Sequence, residues 1–106
     1  DKNVIIKTTG GMRVKEPGVN LAVIMSIVSS VKNKGIPTDV AFIADVGLTG
    51  ELKKVPSLEG RVRELARMGF RKVYVAKDSF AKGFKIEGID IISLKTLNDV
   101  IINIYR

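Results

Sequence analysis

The sequence predicts an α/β domain: a layered fold with a mixed sheet and three helices. Three observations predict it. Short apolar runs bounded by glycine or proline, at residues 40–46, 72–76 and 89–92, read as strands. Segments with apolar residues three and four apart, beginning near Val19, Ser57 and Ser93, read as helices. The two kinds of segment alternate along 106 residues that are 45% hydrophobic. That length makes one core, burying roughly 60–70% of the surface an unfolded chain exposes.

Taken in order, residues 4–7 read as a short strand, Gly10 and Gly11 as a turn, and residues 12–15 as a second strand half exposed to water. Pro17 and Gly18 break it. From Val19 to about Lys34 the pattern is helical. Leu21, Ala22, Val23, Ile24, Met25, Ile27, Val28 and Val31 cover most of the circumference, leaving Ser26, Ser29, Ser30 and Asn33 as a polar strip. Such a helix is expected to be covered on nearly all sides. Gly35 is expected to cap it, and Pro37 prevents its continuation. Residues 40–46 follow as an apolar strand, then a turn at Gly47-Leu48-Thr49-Gly50 and a basic strand over 51–55.

Pro56 opens the second helix with Ser57 as its expected N-cap. Leu58, Val62, Leu65 and Ala66 share its apolar side, while Arg61, Arg63, Glu64 and Arg67 point away. Gly69 stops it. Residues 72–76 read as a buried strand, 77–85 as a basic loop and 89–92 as the last strand. Ser93 is expected to cap a third helix carrying Leu94, Leu97, Ile101 and Ile104 as one stripe.

Cysteine and histidine are both absent. No disulfide argues for an oxidising compartment. No usual zinc site, Cys–His pair or Ser–His–Asp triad can be built, and no Asp/Glu cluster has a metal-ligand spacing. The G-x-x-x-x-G-K-[ST] phosphate loop and G-x-G-x-x-G are missing, so no nucleotide cofactor is expected on this segment. Gly47-Leu-Thr-Gly50 matches the G-x-x-G of RNA-binding KH domains, but there the motif joins two helices; between two strands it reads as a hairpin turn. The first apolar run is too short for a secretory signal. The longest one, residues 21–31, is broken by serines and falls short of the ~20 residues of a membrane span. With no initiator methionine, the chain reads as a fragment of a longer one.

The net charge of +7 is unevenly placed. Lys53, Lys54, Arg61, Arg63, Arg67, Arg71, Lys72, Lys77, Lys82 and Lys85 lie in one third of the sequence with only Glu59, Glu64 and Asp78, so that third carries the whole excess. Such polarity points to a polyanionic partner, although each cation singly also reads as ordinary solvated surface. Arg63, Arg67 and Arg71 follow i, i+4 spacing, which would align them along one edge unless Gly69 ends the helix first. Tyr74 falls within a buried strand and Phe70 after a helix stop. Phe80 and Phe84 flank the basic loop, either as stacking platforms for bases or as local packing.

Three ordered blocks carry a resemblance: GGMRVKEPGVNLAV (10–23), ADVGLTGELKKVP (44–56) and GFRKVYVAK (69–77), with Val28-Ser29-Ser30 closing the first helix. Together they resemble the C-terminal domain of the RadA (Sms) family of bacterial DNA-repair proteins, which is similar to the proteolytic domain of Lon. The resemblance implies a Lon-protease-like (ribosomal-protein-like) fold that normally begins with a further helix and strand ahead of Asp1. Lon-type peptidases use a Ser–Lys dyad. Gly18 falls where the serine would stand and Glu59 where the lysine would, so both reacting groups are missing and no catalysis is expected.

Family members are cytoplasmic, hexameric, DNA-dependent ATPases that promote branch migration during recombination. The resemblance therefore implies ATP and Mg²⁺ for a separate ATPase domain. For this segment it implies self-association into a ring and contact with single-stranded or branched DNA, without sequence preference and without a membrane. Two alternatives stand beside that reading: a pure oligomerisation scaffold, and a residual Ser–Lys peptidase.

Overall fold

The computed structural model describes residues 18–105. The strands expected at 4–7 and 12–15 and the turn at Gly10 and Gly11 lie outside the described residues. The rest is α/β. Three helices accompany two three-stranded sheets, one antiparallel and one parallel.

The parallel sheet is the frame. β5 (Lys72–Ala76) lies between β2 (Val40–Ile43) and β6 (Asp90–Leu94), with Phe42 opposite Tyr74 and Tyr74 opposite Ile92. A central parallel strand is covered on both faces, which is why β5 reads as a nearly unbroken apolar run. Strand alternation divides its neighbours between two cores. Val40, Phe42, Tyr74, Ala76, Ile92 and Leu94 face α1 (Leu21–Lys32) and α3 (Leu97–Tyr105), which contribute Leu21, Met25 and Val100. Ala41, Ile43, Val73, Val75 and Ile91 face α2 (Leu58–Arg67) and the loop before β6, which contribute Leu58, Val62, Ile86 and Ile89. Helices on both faces give three layers. Each fully buried Leu, Val or Met side chain stabilises this arrangement by about 1.5–3 kcal/mol.

The antiparallel sheet joins β1 (Val19–Asn20), β3 (Asp45–Val46) and β4 (Leu52–Lys53). The apolar run at 40–46 is thus two strands rather than one. It bends at buried Ala44, whose carbonyl accepts from the Leu21 N–H at 2.9 Å, and changes partners from β5 to β1. The expected strand over 51–55 shrinks to Leu52–Lys53 for a related reason. Its neighbouring backbone groups bond the segment entering α3, with Leu52 N–H on the Lys95 carbonyl at 2.9 Å and Leu97 N–H on the Gly50 carbonyl at 2.8 Å.

α1 departs most from expectation. Only Leu21 and Met25 are buried on it, while Val23, Ile27 and Val31 are 52%, 59% and 79% exposed, and Ser26 and Ser30 also face outward. It covers one face of a sheet, and a helix resting on a sheet buries one stripe whatever the composition of its other side. Asn20 caps its start, with Oδ1 accepting from Ala22 N–H at 2.7 Å. Asn33, not Gly35, supplies the left-handed residue at its end (φ 56°), where a short polar side chain tolerates that conformation.

The other helix ends also differ in detail. Ser57 sits ahead of α2 in a left-handed conformation (φ 56°), which turns its hydroxyl away from the first-turn N–H groups, and it makes no capping bond. Gly69 does end α2: at φ 99° it lets Phe70 N–H reach the Leu65 carbonyl at 3.0 Å and its own N–H reach Ala66 at 3.1 Å, a Schellman closure. Ser93 belongs to β6. The cap of α3 is Thr96, whose Oγ1 accepts from Asp99 N–H while Thr96 N–H donates to Asp99 Oδ2, both at 3.1 Å. Val100, absent from the expected stripe, is the fully buried residue of that helix.

Candidate nucleic-acid interface

The basic third of the chain folds into β4, α2, β5 and the loop that joins β5 to β6. That loop is built from tight turns. Asp78 takes a left-handed conformation (φ 65°) while Ser79 N–H and Oγ–H both donate to the Ala76 carbonyl. Gly83 (φ 84°) and Gly88 (φ 91°) permit two further reversals, and a bridge between Ile86 and Ile89 closes the second. Ile86 and Ile89 turn inward against α2. The polar and charged residues between the anchored positions therefore face solvent.

Seven of the ten cations border three concavities around this loop. Arg63 and Arg67 line one with Ile86 and Glu87. Arg71, Lys72 and Lys85 line the largest, a groove of about 850 Å³ that also includes Ile86, Phe84 and Ile91. Lys77 and Lys82 line a third with Phe84, Ile91 and Ser93. Ile86 is common to the first two, and Phe84 and Ile91 to the last two, so the three form one track.

The other three cations are elsewhere. Lys53 is on β4, half-buried, with Nζ 3.9 Å from a Glu51 oxygen, and Lys54 follows it in the same sheet region. Arg61 is exposed on α2 but lies two residues before Arg63. At about 100° per residue that is the opposite flank of the helix.

The track is not uniformly cationic. Arg63 donates through Nε and Nη2 to Glu59 Oε2, at 3.0 and 2.8 Å, and Arg67 pairs with Glu64 at 3.0 Å. Both pairs are exposed, so each contributes a fraction of a kcal/mol and can exchange for a phosphate. The E-x-x-x-R and E-x-x-R spacings already carry this signal, because residues three and four apart on a helix are neighbours. Arg71 does not extend the arginine edge of α2: the helix stops at Arg67, and Arg71 N–H donates to the Asp39 carbonyl at 2.9 Å just before β5. It comes instead beside Lys72 and Lys85. Among the described residues, no acid lies within ion-pair distance of Arg71, Lys77, Lys82 or Lys85.

The aromatic residues divide cleanly. Tyr74 is buried, stacked on Phe42 at 5.5 Å, and donates to Asn103 Oδ1 at 2.5 Å; burial pushes its phenol above the usual tyrosine range. Phe80 and Phe84 stack on each other with centroids 4.5 Å apart and pack against the α2 core. Ile91 and Gly88, which shape the groove, carried no charge signal; the apolar Ile86–Ile89 pair around a glycine was their only mark in the sequence.

The two positions that the resemblance sets against the Lon dyad are among the described residues. Gly18 is exposed just before β1, where a Cβ would meet the Val46 carbonyl oxygen at 3.4 Å, and Glu59 is held by Arg63 in the first turn of α2. Near the hairpin, the Thr49 hydroxyl and backbone N–H both donate to Glu51, and the hydroxyl bond chiefly holds that carboxyl below the usual carboxylate range. The Glu51 carboxylate lies close over Gly47, where a Cβ would push the ends of the Glu51 and Lys53 side chains aside. Among the described residues, no helix is long and apolar enough to cross a membrane.

No family model matches the sequence. Proteins named DNA repair protein RadA do. The one from Streptococcus pyogenes is 36% identical over 102 residues, covering 95% of this chain and 22% of the relative. That from Streptococcus pneumoniae is 33% identical over 105 residues, 99% of this chain and 25% of the relative. That from Aquifex aeolicus is 37% identical over 101 residues, 95% of this chain and 22% of the relative. The chain thus spans about a quarter or less of the relatives it matches, in their C-terminal part.

Proposed function

Because the chain is homologous over its whole length to the C-terminal part of DNA repair protein RadA, we propose that it is a non-catalytic domain of a RadA-type repair protein that contacts DNA and supports ring assembly. The observation that carries this reading is the track: seven cations from α2, the turn between α2 and β5, β5 itself and the β5–β6 loop border three concavities with shared walls. Phosphates held there would be bound without regard to sequence, because affinity comes largely from release of counterions. The parent protein, in this reading, is a cytoplasmic, hexameric, DNA-dependent ATPase that acts in branch migration, with ATP and Mg²⁺ bound outside this segment.

In this reading the domain keeps a Lon-like scaffold without the reacting side chains. A glycine at position 18 has no nucleophile, and a carboxylate at Glu59 cannot take a proton from a serine as a neutral lysine does. Replacing a nucleophile alone commonly lowers the rate by on the order of a millionfold. The second reading, an oligomerisation scaffold alone, is favoured by the apolar stripe Val23, Ile27 and Val31 on α1, all more than half exposed and four residues apart.

A titration of the chain against duplex DNA at increasing salt tests the proposal. Log affinity should fall linearly with log salt, at about −0.9 per phosphate contact. Absence of binding at low salt, with concentration-dependent self-association in its place, would transfer support to the scaffold reading.

A further inference from the structure

We infer that the outer edge of β6 is a docking site for an extended, acidic segment of a partner protein, which adds to the parallel sheet as a further strand. The backbone of β6 is half paired. Asp90 N–H donates to the Arg71 carbonyl at 2.9 Å, and the Leu94 carbonyl accepts from Lys77 N–H at 2.8 Å. Residues 90, 92 and 94 therefore direct their hydrogen bonds to β5. Alternation turns the N–H and C=O of Ile91 and Ser93 the other way, where no other described strand pairs. Unpaired groups of this kind are a template for another chain, and folded proteins commonly blunt them with a proline, a bulge or a cover. The register of β6 with β5 runs unbroken from Asp90 to Leu94, so no bulge turns this edge away, and the strand contains no proline.

Two of the three concavities open on this strand, one toward Asp90 and one toward Ser93, with Ile91 in the wall of both. Arg71, Lys72 and Lys85 line the first, and Lys77 and Lys82 the second. Asp90 and Asp78 are the acids in those walls, one in each. The side chain of Ile91 belongs to the face that carries Phe84 and the basic loop. Those of Ile92 and Leu94, both half-buried, belong to the opposite, apolar face. A strand added here meets cations on one side and apolar surface on the other. β2, at the far edge of the same sheet, lines none of the three concavities.

That setting selects the occupant. An extended polypeptide presents an N–H and a C=O to one side every two residues, about 6.6 Å apart, which is the spacing from Ile91 to Ser93. A nucleic-acid backbone has no such repeat and would engage the cations alone. Acidic side chains suit the loop face, where Arg71, Lys77, Lys82 and Lys85 have no acid within ion-pair distance among the described residues. Apolar ones suit the face of Ile92 and Leu94. A second copy of this chain fits poorly, because its own β6 would set the same lysines against these, and like charges across paired strands are destabilising. The loop cations also belong to the proposed DNA track, so a docked segment would displace DNA; this consequence alone rests on the DNA-contact reading.

Fluorescence polarisation of a short labelled peptide of alternating glutamate and valine, titrated with the whole chain at low salt, tests the docking. The peptide should bind, and its lysine–valine counterpart should not. Two further peptides carry N-methyl groups, one on every glutamate amide and the other on every valine amide. Alternate amides of a strand point to opposite sides, so one of these two should lose affinity roughly tenfold while the other stays within about twofold. Hydrogen exchange needs no variant: the amides of Ile91 and Ser93 should slow in the complex, and those of Ile92 and Leu94, already bonded to β5, should not. Equal loss or equal retention by the two methylated peptides, or unchanged exchange at Ile91 and Ser93, would overturn strand addition and reduce the contact to charge attraction. Failure of every peptide to bind would also overturn it, leaving the lysines as guards against edge pairing. Displacement of a labelled duplex by the glutamate–valine peptide would support the shared cations. Docking without displacement would refute that sharing and leave the strand site standing, and failure of the duplex alone to bind would refute the DNA reading and not the docking.

Discussion

Two double charge reversals test whether DNA follows the track or merely the net charge. Lys82→Glu with Lys85→Glu and Arg63→Glu with Arg67→Glu each change the charge of the chain by the same amount. They differ in what the native side chains do. Arg63 and Arg67 already donate to Glu59 and Glu64, so each must give up a carboxylate to take a phosphate. Arg71, Lys77, Lys82 and Lys85 have no such competitor among the described residues. If those four supply the phosphate contacts on duplex DNA, the log–log salt slope is about −3.6, and removing two of them brings it to about −1.8. Between 50 and 200 mM salt, affinity then falls roughly 150-fold for the native chain and roughly tenfold for the lysine variant. The arginine variant should stay close to the native slope. Fluorescence polarisation at four or more salt concentrations reads all three slopes. If the two variants change the slope equally, binding follows overall charge and the assignment to the loop fails.

Three further outcomes bear on the fold beneath the site. Leu21→Ala, at a fully buried position of α1, should cost about 2–5 kcal/mol in urea unfolding, whereas Val31→Ser, at a position 79% exposed on the same helix, should stay within about 0.5 kcal/mol. Equal costs would mean that both sides of α1 are covered in solution. Thr96→Ala removes half of a reciprocal cap and should cost about 1 kcal/mol, while Ser57→Ala should have little effect because that hydroxyl caps nothing. Reversal of that order by chemical denaturation would contradict the helix ends described. Glu51 titrates below the ordinary carboxylate range, so its carboxylate stabilises the folded chain above that range, and the contribution is lost as pH falls through the depressed value. The unfolding midpoint of Glu51→Gln should accordingly lose part of its dependence on acid pH; an unaltered pH profile would show that the Thr49 bond does not persist in solution.

Strand identity and helix identity were legible in the sequence because each depends on neighbours a few residues apart. β5 reads as apolar because a central parallel strand is covered on both sides, and α2 reads as amphipathic because Leu58 and Val62 face one core while its arginines face water. The absence of cysteine and histidine and the concentration of the net charge in one third of the chain are facts of composition and order, and folding leaves them as they were. What the sequence did not contain was who meets whom. The run at 40–46 divides between two sheets because Ala44 bonds to Leu21, a residue more than twenty positions earlier. α1 looks apolar over most of its circumference yet buries one stripe, since burial is decided by the number of elements that reach a helix and not by its own residues. Arg71 leaves the arginine row of α2 and joins Lys85, fourteen positions later, because Gly69 ends the helix and β5 pairs with β6. Local pattern sets the kind of each element, but the grouping of charges into a groove depends on strand register and loop closure, which are long-range contacts that no short window of sequence encodes.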